Sequence, residues 1–528
     1  MSRFTELSWS QSFAQNFPLD RELLPGSRVV RGVYGSIVEP TPVPFPRLLA
    51  WVDQLGESFG IERPLEYSQD LQVLSGNSMI QGVMPVAVCY GGHQFGSWAG
   101  QLGDGRAMTL GEAPDRLGRS HEFQLKGAGP TPYSRRGDGR AVLRSSLREF
   151  VMSEAMYHLG VPTTRALALL ETGEVVVRDP FYDGHPREEI GAIVCRVAPS
   201  FLRFGNFEIF ASRGERDLLM KLFKETIHHH FPSLRSEGDD VATQWFSEVA
   251  ERTAFLMAEW LRVGFVHGVM NTDNLSVLGL TIDYGPFGWV EPFDLAWTPN
   301  TTDLPARRYA FGRQPQVAKW NLERLAEVLG WLFPEEESKL ADVVSQFDRR
   351  FLEFHSQKRA AKLGLKQLPS GEDADIFLVE LDQLMSESHC DMTLFYRRLG
   401  EFNEEDMIWS GWGRFLLEVS YLKTLPSDLL VRWQRWFEAY VHIRRNKSGF
   451  VAQTKERMRQ VNPVYVPRNY LLHQAIEEAE AGRLGELQNL IELFKDPYVR
   501  RDCFRRYEEK RPDWARDKPG CSTLSCSS

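Results

Sequence analysis

Two short stretches of the sequence carry oxygen ligands of the kind that a divalent cation prefers. The first, "HGVMNTDN", begins at His267 and ends at Asn274. The second, "LTIDYGPFG", places Asp283 after a short apolar run and before an aromatic-glycine turn. Mg²⁺ commonly takes one or two protein oxygens and completes its coordination shell with substrate phosphates. The sequence therefore predicts that Asn274 and Asp283 hold Mg²⁺ beside a phosphorylated substrate.

Residues upstream of these stretches have the types needed to bind phosphate. Residues 91–112, "GGHQFGSWAGQLGDGRAMTLGE", contain six glycines before Arg106. Glycine lets backbone N–H groups approach a phosphate closely. No G-K-[ST] follows, so this is not a Walker motif, and a simple turn remains the alternative. The flanking runs "PVAVCY" and "RAMTLGE" are predicted to be paired strands that cover a nucleotide.

A lysine and a helical glutamate follow the glycine-rich segment. Lys126 ends the strand-like "EFQLK", and the next helical pattern, "LRSSLREFVMSEAMYHLG", carries Glu149 and Glu154. These two glutamates differ by about 140° in facing, so only one can point at Lys126. Glu149 is the favoured partner, and an exposed lysine with a surface glutamate is the alternative.

The order of these motifs is that of a protein kinase, with one residue missing. A kinase has a glycine loop, a lysine, a helical glutamate, a His…Asn loop and an Asp-x-Gly. In the pattern H-R-D-L-x-x-x-N the catalytic Asp stands two residues after the His. That position is Val269 here. A conventional kinase with a relocated base and a non-catalytic nucleotide-binding scaffold are therefore both open at this point.

Arginines add to the phosphate-binding pattern. Residues 133–146, "YSRRGDGRAVLRSS", are dense in Arg, Asp and Gly, and "CRVAPSFLRFGNFE" contributes Arg196 and Arg203. Guanidinium forks match phosphate oxygens. Because these arginines lie inside apolar or glycine-rich runs, we expect them to face a ligand.

Composition excludes several other classes of protein. The 528 residues are 42% hydrophobic and carry a net charge of -9, which argues against sequence-independent nucleic-acid binding. No apolar run approaches the roughly 20 residues of a membrane span, and the first residues have no signal-peptide core. We expect a cytoplasmic protein, or a mitochondrial one in a eukaryote. The consecutive His228, His229 and His230 point in different directions on a helix, so they predict no metal site.

The elements that must position these residues divide the chain into four parts. An N-terminal extension, 1–80, has a helix near Pro46–Gly56. A β-rich N-lobe, 81–205, binds the nucleotide, and a helical C-lobe, 206–365, holds the catalytic and metal loops. Residues 366–528 form a C-terminal helical extension and a cysteine-containing tail. The predicted fold class is α+β, with the two lobes of a protein kinase.

Longer motifs make the chain resemble the SelO family of kinase-fold pseudokinases. The matching stretches are "GGHQFGSWAGQLGDGRA", "QLKGAGPTPYSRRGDGRAVLRSSLREF", "HGVMNTDN", "TIDYGPFG", "QPQVAKWNL" and "NPVYVPRNYL". The resemblance implies transfer of AMP, rather than phosphate, from ATP to Ser, Thr and Tyr hydroxyls of proteins. It also implies UMP transfer with Mn²⁺ in some members, and an ATP molecule bound in a flipped pose with its γ-phosphate buried. Redox proteins and the chain itself are among the implied acceptors.

The resemblance also assigns residues. Its nucleotide contacts fall on Gly103, Gly105, Arg106, Lys126, Asp138, Gly139, Arg196, Arg203 and Asp283. The implied proton acceptor is Asp273, and Asn274 and Asp283 carry Mg²⁺ or Mn²⁺.

One part of the family pattern is absent. Some bacterial relatives have a cysteine after the Asp that corresponds to Asp283, and it can form a disulfide bond with the cysteine of the C-terminal tail. Here that segment reads "WVEPFDLAWTPNTTDLP", without cysteine. We expect Cys526 to be free or paired with Cys521.

Overall fold

The computed structural model describes residues 2–24, 26–180, 184–234, 240–368, 372–402, 409–447, 451–521 and 523–525. A β-rich half comes first in the chain, and a helical half begins at Phe204. Within the described part of the chain, no helix combines the length and the apolar character needed to cross a membrane.

The strands belong mainly to one nine-stranded sheet. They are β1 (Leu19–Asp20), β2 (Gly35–Ile37), β3 (Arg47–Trp51), β4 (Val86–Val88), β5 (His93–Gln94), β6 (Ser97–Trp98), β7 (Ala107–Pro114), β8 (Ser120–Lys126), β9 (Ala141–Val142), β10 (Arg165–Arg178), β11 (Arg187–Ala198), β12 (Phe265–Val266) and β13 (Gly288–Trp289). The sheet order is β1-β2-β4-β7-β8-β11-β10-β3, with β9 also paired to β11. β1 and β2 are parallel, and the other pairings in this sheet are antiparallel.

The helices dominate the chain after the sheet. They are α1 (Ser12–Gln15), α2 (Asp53–Phe59), α3 (Gln69–Leu74), α4 (Leu143–His158), α5 (Phe204–Ser212), α6 (Arg216–His230), α7 (Val241–Val263), α8 (Gln314–Leu332), α9 (Glu337–Lys362), α10 (Glu372–Glu387), α11 (Met392–Leu399), α12 (Trp409–Val419), α13 (Ser427–Lys447), α14 (Val451–Val461), α15 (Asn469–Glu480) and α16 (Gly485–Phe494). Helix α4 packs on β10 and β11, and its other side is covered by α15 and α16. The C-terminal extension therefore supports the helix that carries Glu149.

The first 80 residues are part of the sheet rather than a separate layer. They supply β1, β2 and β3, so both edges of the sheet come from this segment. The prediction of a helix near Pro46–Gly56 is wrong over the first half of that range, where Arg47–Trp51 forms strand β3. This run, "RLLAW", is apolar enough to suit a buried strand, and pairing with β10 decides the outcome.

The elements around the glycine-rich segment follow the predicted order. β4 and β7 flank it and pair through Val86 and Thr109, as the sequence predicts. β8 ends at Lys126, and α4 is the next helix. A sheet lobe with this lysine-bearing strand, followed by a helical lobe, confirms the predicted α+β, protein-kinase-like fold class.

The C-terminal extension has a second core and returns its tail to the helical lobe. Stacked rings fill the second core, including Trp412 and Phe437, whose centroids are 3.9 Å apart. At the end of the chain Leu524 forms a parallel bridge with Asn300. Cys521 is buried and bonds to no other cysteine within the described ranges, whereas Cys526 lies outside them. The expected state of Cys526 stays a prediction.

Candidate active site

Lys126 lies in a buried ion-pair network at the junction of the two lobes. Its Nζ is 2.8 Å from the Glu149 carboxylate, and Arg196 Nη1 on β11 lies 3.0 Å from the same carboxylate. Burial lowers the pKa of Lys126, although Glu149 and Asp283 oppose that shift. Burial alone would raise the pKa of Glu149, but the two cations outweigh it and hold that pKa below its usual value. Glu154 faces elsewhere and pairs with Arg165 at 2.5 Å.

Asp283 collects three cations. Lys126 Nζ lies 3.3 Å from Oδ1, Arg196 Nη1 lies 2.6 Å from Oδ1, and Arg203 Nη1 lies 2.5 Å from Oδ2. Burial would raise the pKa of Asp283, but these neighbours hold it well below the usual range. Asp283 has a φ of 56°, a left-handed backbone conformation that is uncommon outside glycine. Lys126, Arg196 and Arg203 are called the cation cluster below.

Both arginines of the cation cluster are held by surrounding groups. Arg196 and Arg203 are 2% and 1% exposed. Arg196 Nη2 donates to the side-chain oxygen of Gln124. Arg203 Nη1 also donates to the Asp273 carbonyl at 2.8 Å, and its guanidinium lies 4.4 Å from the centre of the Tyr90 ring. Fixed donors of this kind are suited to an anion, because little side-chain freedom is lost when the anion binds.

Asp273 is buried with one oxygen that has no partner. Its Oδ2 accepts a hydrogen bond from Gln94 Nε2 at 3.3 Å, and its Oδ1 has no hydrogen-bond partner among the described residues. Burial raises the pKa of Asp273 to about 7, even though Arg203 opposes the shift. The hairpin of β5 and β6 covers this carboxylate. A Cβ added at Gly92 would lie 2.6 Å from Oδ1, so only glycine permits this approach.

The remaining residues of the "HGVMNTDN" loop fix its shape. Asn274 Nδ2 donates to the Val269 carbonyl at 2.9 Å, so its Oδ1 faces away from that bond. Val269 itself is 9% exposed and has no ionisable atom. His267 is buried, which lowers its pKa, and it bonds through Nε2 to the Ile282 carbonyl at 2.9 Å. The loop is thereby tied to the strand-like residue before Asp283.

The oxygens near the loop fit a hard divalent cation that also binds phosphate. Within the described part of the chain no cluster of three or more His, Cys, Asp or Glu side chains could hold a metal alone. Asn274 and Asp283 would supply two oxygen ligands, and Asp273 Oδ1, which has no partner among the described residues, is a third oxygen nearby in sequence. Two protein oxygens plus substrate phosphates are the usual shell of Mg²⁺ at a nucleotide. The donor set therefore fits a metal that arrives with its nucleotide.

The glycines and Arg106 lie on turns beside the sheet. A Cβ at Gly103 would be 2.5 Å from the Tyr133 ring, and one at Gly105 would be 2.8 Å from the Tyr133 carbonyl. Arg106 is exposed and forms no ion pair with the residues that the structure describes. Its charge is close enough to Lys126 to lower that residue's pKa. The structure thus leaves Arg106 available to an anion near the cation cluster.

Asp138 and Gly139 have a different setting. Asp138 pairs with Arg178 at 2.6 Å and accepts from the Arg140 backbone N–H at 2.9 Å. Gly139 has φ of 71° and packs against the Gly129 backbone, where a Cβ would be 2.1 Å from its carbonyl carbon. The structure gives Asp138 partners outside the cation cluster, so its predicted contact with nucleotide stays a prediction.

Sequence reasoning missed two side chains of this site. Gln124 accepts from Arg196, and Gln94 donates to Asp273. Gln124 could have been found, because it lies two residues before Lys126 on one strand and must share its face. Gln94 had no such signal, since its contact depends on how a two-residue hairpin folds over a loop distant in sequence.

Comparison with known proteins decides the family. A sequence model described as "Protein adenylyltransferase SelO" matches residues 28–495. The chain belongs to the SelO family. A relative from Tolumonas auensis, named "Protein nucleotidyltransferase YdiU", is 50% identical over 527 residues, covering 99% of each chain. A relative of the same name from Xanthomonas campestris pv. campestris is 50% identical over 526 residues, covering 99% of this chain and 100% of its own.

The family confirms the resemblance drawn from the motifs and the enzyme class that goes with it. SelO proteins are protein adenylyltransferases, which use a nucleotide and a protein as substrates. Among solved structures, ROP2 from Toxoplasma gondii matches with a TM-score of 0.23 and 14% identity, over 57% of this chain and 83% of its own. ROP2 is described as a virulence factor with a protein-kinase fold and no enzymatic activity.

Proposed function

We propose that this SelO-family protein transfers AMP from ATP to Ser, Thr or Tyr hydroxyls of proteins, with Mg²⁺ or Mn²⁺ bound at Asn274 and Asp283. UMP is an alternative donor group with Mn²⁺. Redox proteins and the chain itself are proposed acceptors. The observation that carries the proposal is the cation cluster, in which three largely buried cations converge on the Asp283 carboxylate.

The burial of the cation cluster favours a flipped ATP molecule. The γ-phosphate carries the most negative charge of the three, so it gains most from a buried group of fixed cations. Arg196 and Arg203 are at most 2% exposed, which places this attraction inside the protein. With the γ-phosphate at the cation cluster, the α-phosphate would face Asn274 and Asp283, the residues that would hold the metal. Arg106, exposed at the edge of the glycine-rich segment, is then available to the other phosphates.

The reaction follows from that orientation. The acceptor hydroxyl oxygen bonds to the α-phosphorus, the bond between the α-phosphorus and its bridging oxygen to the β-phosphorus breaks, and pyrophosphate leaves. Asp273 receives the hydroxyl proton on its otherwise partnerless Oδ1. The cation cluster binds the pyrophosphate portion and stabilises its charge as the bond breaks. A bound metal would supply further neutralisation of phosphate charge.

The alternatives explain the site less well. A conventional kinase needs its base near the γ-phosphate, and the usual position is occupied by Val269, which is buried and cannot accept a proton. A non-catalytic scaffold has no need for a buried carboxylate with a free oxygen, because such a group costs stability.

Mass spectrometry of the intact protein after incubation with ATP and Mg²⁺ or Mn²⁺ tests the proposal. We expect the protein to modify itself and to gain the mass of an AMP group, attached to the hydroxyl of a Ser, Thr or Tyr side chain. A gain of the mass of phosphate instead would identify a kinase. No gain on the protein or on any added acceptor would favour the scaffold.

A further inference from the structure

A cavity lies in the helical half of the protein, apart from the strands and loops that carry the cation cluster. Its volume is about 420 Å³, within the range of small-molecule sites. It lies between α7, α8, α9, α10, α11 and the segment from Phe293 to Gly312. That segment joins the Asp283 region to α8, where the Gln314 side chain accepts a hydrogen bond from the His267 backbone N–H at 3.0 Å.

The walls of this cavity are largely apolar. Phe293, Phe311 and Met392 are buried in the second core and line the cavity. Leu295 and Leu352 line the cavity and are 46% and 55% exposed. Exposed leucines beside a concave apolar wall are suited to an apolar ligand body that enters from solvent.

Basic side chains converge on the same cavity, and most have carboxylate partners. Arg262 Nε lies 2.5 Å from the Glu259 carboxylate, and Lys358 shares that carboxylate. Arg359 pairs with Asp382 at 2.7 Å. Carboxylates neutralise these cations, so the cations alone do not indicate that an anion binds in the cavity.

Lys362 differs from the other basic residues of the cavity. It is 4% exposed, and its Nζ donates to the Arg262 carbonyl at 2.6 Å and lies 4.1 Å from the centre of the Tyr396 ring. No carboxylate pairs with it within the described part of the chain. Burial, with Arg262 and Arg359 nearby, pushes its pKa well below the usual value. This shift favours the neutral amine, and a ligand anion beside Nζ would pair with the protonated form and stabilise it.

We infer that this cavity binds a small amphipathic anion, with its carboxylate or phosphate on Lys362 and its apolar body between Phe293, Phe311 and Met392. The carboxylate and the phosphate monoester share the chemistry that the cavity recognises. The inference does not depend on which group the enzyme transfers, because the cavity and the cation cluster have different walls.

Calorimetric titration of the full chain with octanoate, octyl phosphate and octanol tests this inference, since the three probes share one apolar body. Both acids should bind at least about tenfold more tightly than octanol, because a charge-assisted hydrogen bond contributes that much. Lys362→Met keeps most of the apolar stem and should reduce the preference to about twofold or less. Lys339→Met is the matched control, about 35 Å away on the same helix α9, and should change nothing.

The two variants differ in the contacts of Lys362 that they keep. Lys362→Met loses the hydrogen bond to the Arg262 carbonyl, and Lys362→Gln provides a second uncharged variant, still able to donate a hydrogen bond, if the first does not fold. Whichever acid binds more tightly identifies the head group. Equal affinities for the acids and octanol, no saturable binding of any probe, or an unchanged preference in both Lys362 variants would overturn the inference.

Discussion

Replacing Asp283 should have opposite effects on nucleotide binding with and without metal. Asp283→Ala removes a metal ligand, so Mg²⁺ should no longer strengthen ATP binding. In the absence of metal, however, the same carboxylate neutralises Lys126, Arg196 and Arg203. Its loss should free these cations for the phosphates, so metal-free ATP should bind more tightly than to the natural protein.

The size of this effect follows from Coulomb's law. A phosphate charge about 5 Å from Asp283 is repelled by about 3 kcal/mol at an effective dielectric constant of ~20. The Asp283 side chain is 22% exposed, so solvent and salt reduce this value. A remaining effect of about 1.4 kcal/mol corresponds to tenfold tighter metal-free binding. The variant should also be less stable by about 3 kcal/mol or more, because it leaves buried cations with fewer partners.

Calorimetric titration with ATP, in EDTA and in Mg²⁺, measures both effects. Asp283→Asn is a second variant that keeps the side-chain volume and an acceptor oxygen if the alanine variant folds poorly. Asp342→Asn removes the same charge from an exposed position on α9 and should leave both affinities unchanged. Weaker metal-free binding to Asp283→Ala would refute the charge argument, and retained dependence on Mg²⁺ would refute the metal assignment.

Three further substitutions test other contacts of the site. Gly92→Ala should lower AMP transfer at least about tenfold, because the new Cβ would lie 2.6 Å from Asp273 Oδ1. Circular dichroism should show that the variant stays folded. Transfer at the natural rate would show that the hairpin does not position Asp273. Glu149→Gln should lower the rate of AMP transfer, because Lys126 and Arg196 lose a carboxylate that positions them. Glu154→Gln on the same helix should lower only the melting temperature, and equal losses of transfer would remove the special role of Glu149. Val269→Ala should change the transfer rate less than about threefold, and a large loss would assign this position a role that its apolar side chain does not suggest.

The parts of the fold that follow from local periodicity could be predicted from the sequence. Local periods place Lys126 at the end of a strand and allow only one of Glu149 and Glu154 to face it, and the structure pairs it with Glu149. The paired β4 and β7 followed from apolar runs on either side of a glycine-rich segment. In each case the sequence pattern lies within a single element, and the elements follow one another along the chain.

The parts that depend on distant contacts could not be predicted. Arg203 and Asp283 meet although 80 positions separate them, and only the family resemblance, not a local pattern, places both at one nucleotide. The strand Arg47–Trp51 exists because β10 pairs with it, and the same apolar run suits a helix. The cover of Asp273 by Gly92 depends on a hairpin folding onto a remote loop. No periodicity within a short window contains this information.

Labelled ATP tests the central claim most directly. The protein is incubated with a divalent metal and ATP that carries radioactive phosphorus at either the α- or the γ-position, and label on protein is measured after gel separation. We expect label from the α-position and none from the γ-position, with the α-label lost in Asp273→Ala and in Asp283→Ala. Transfer of the γ-label would contradict the flipped orientation of ATP and show that the protein is a kinase.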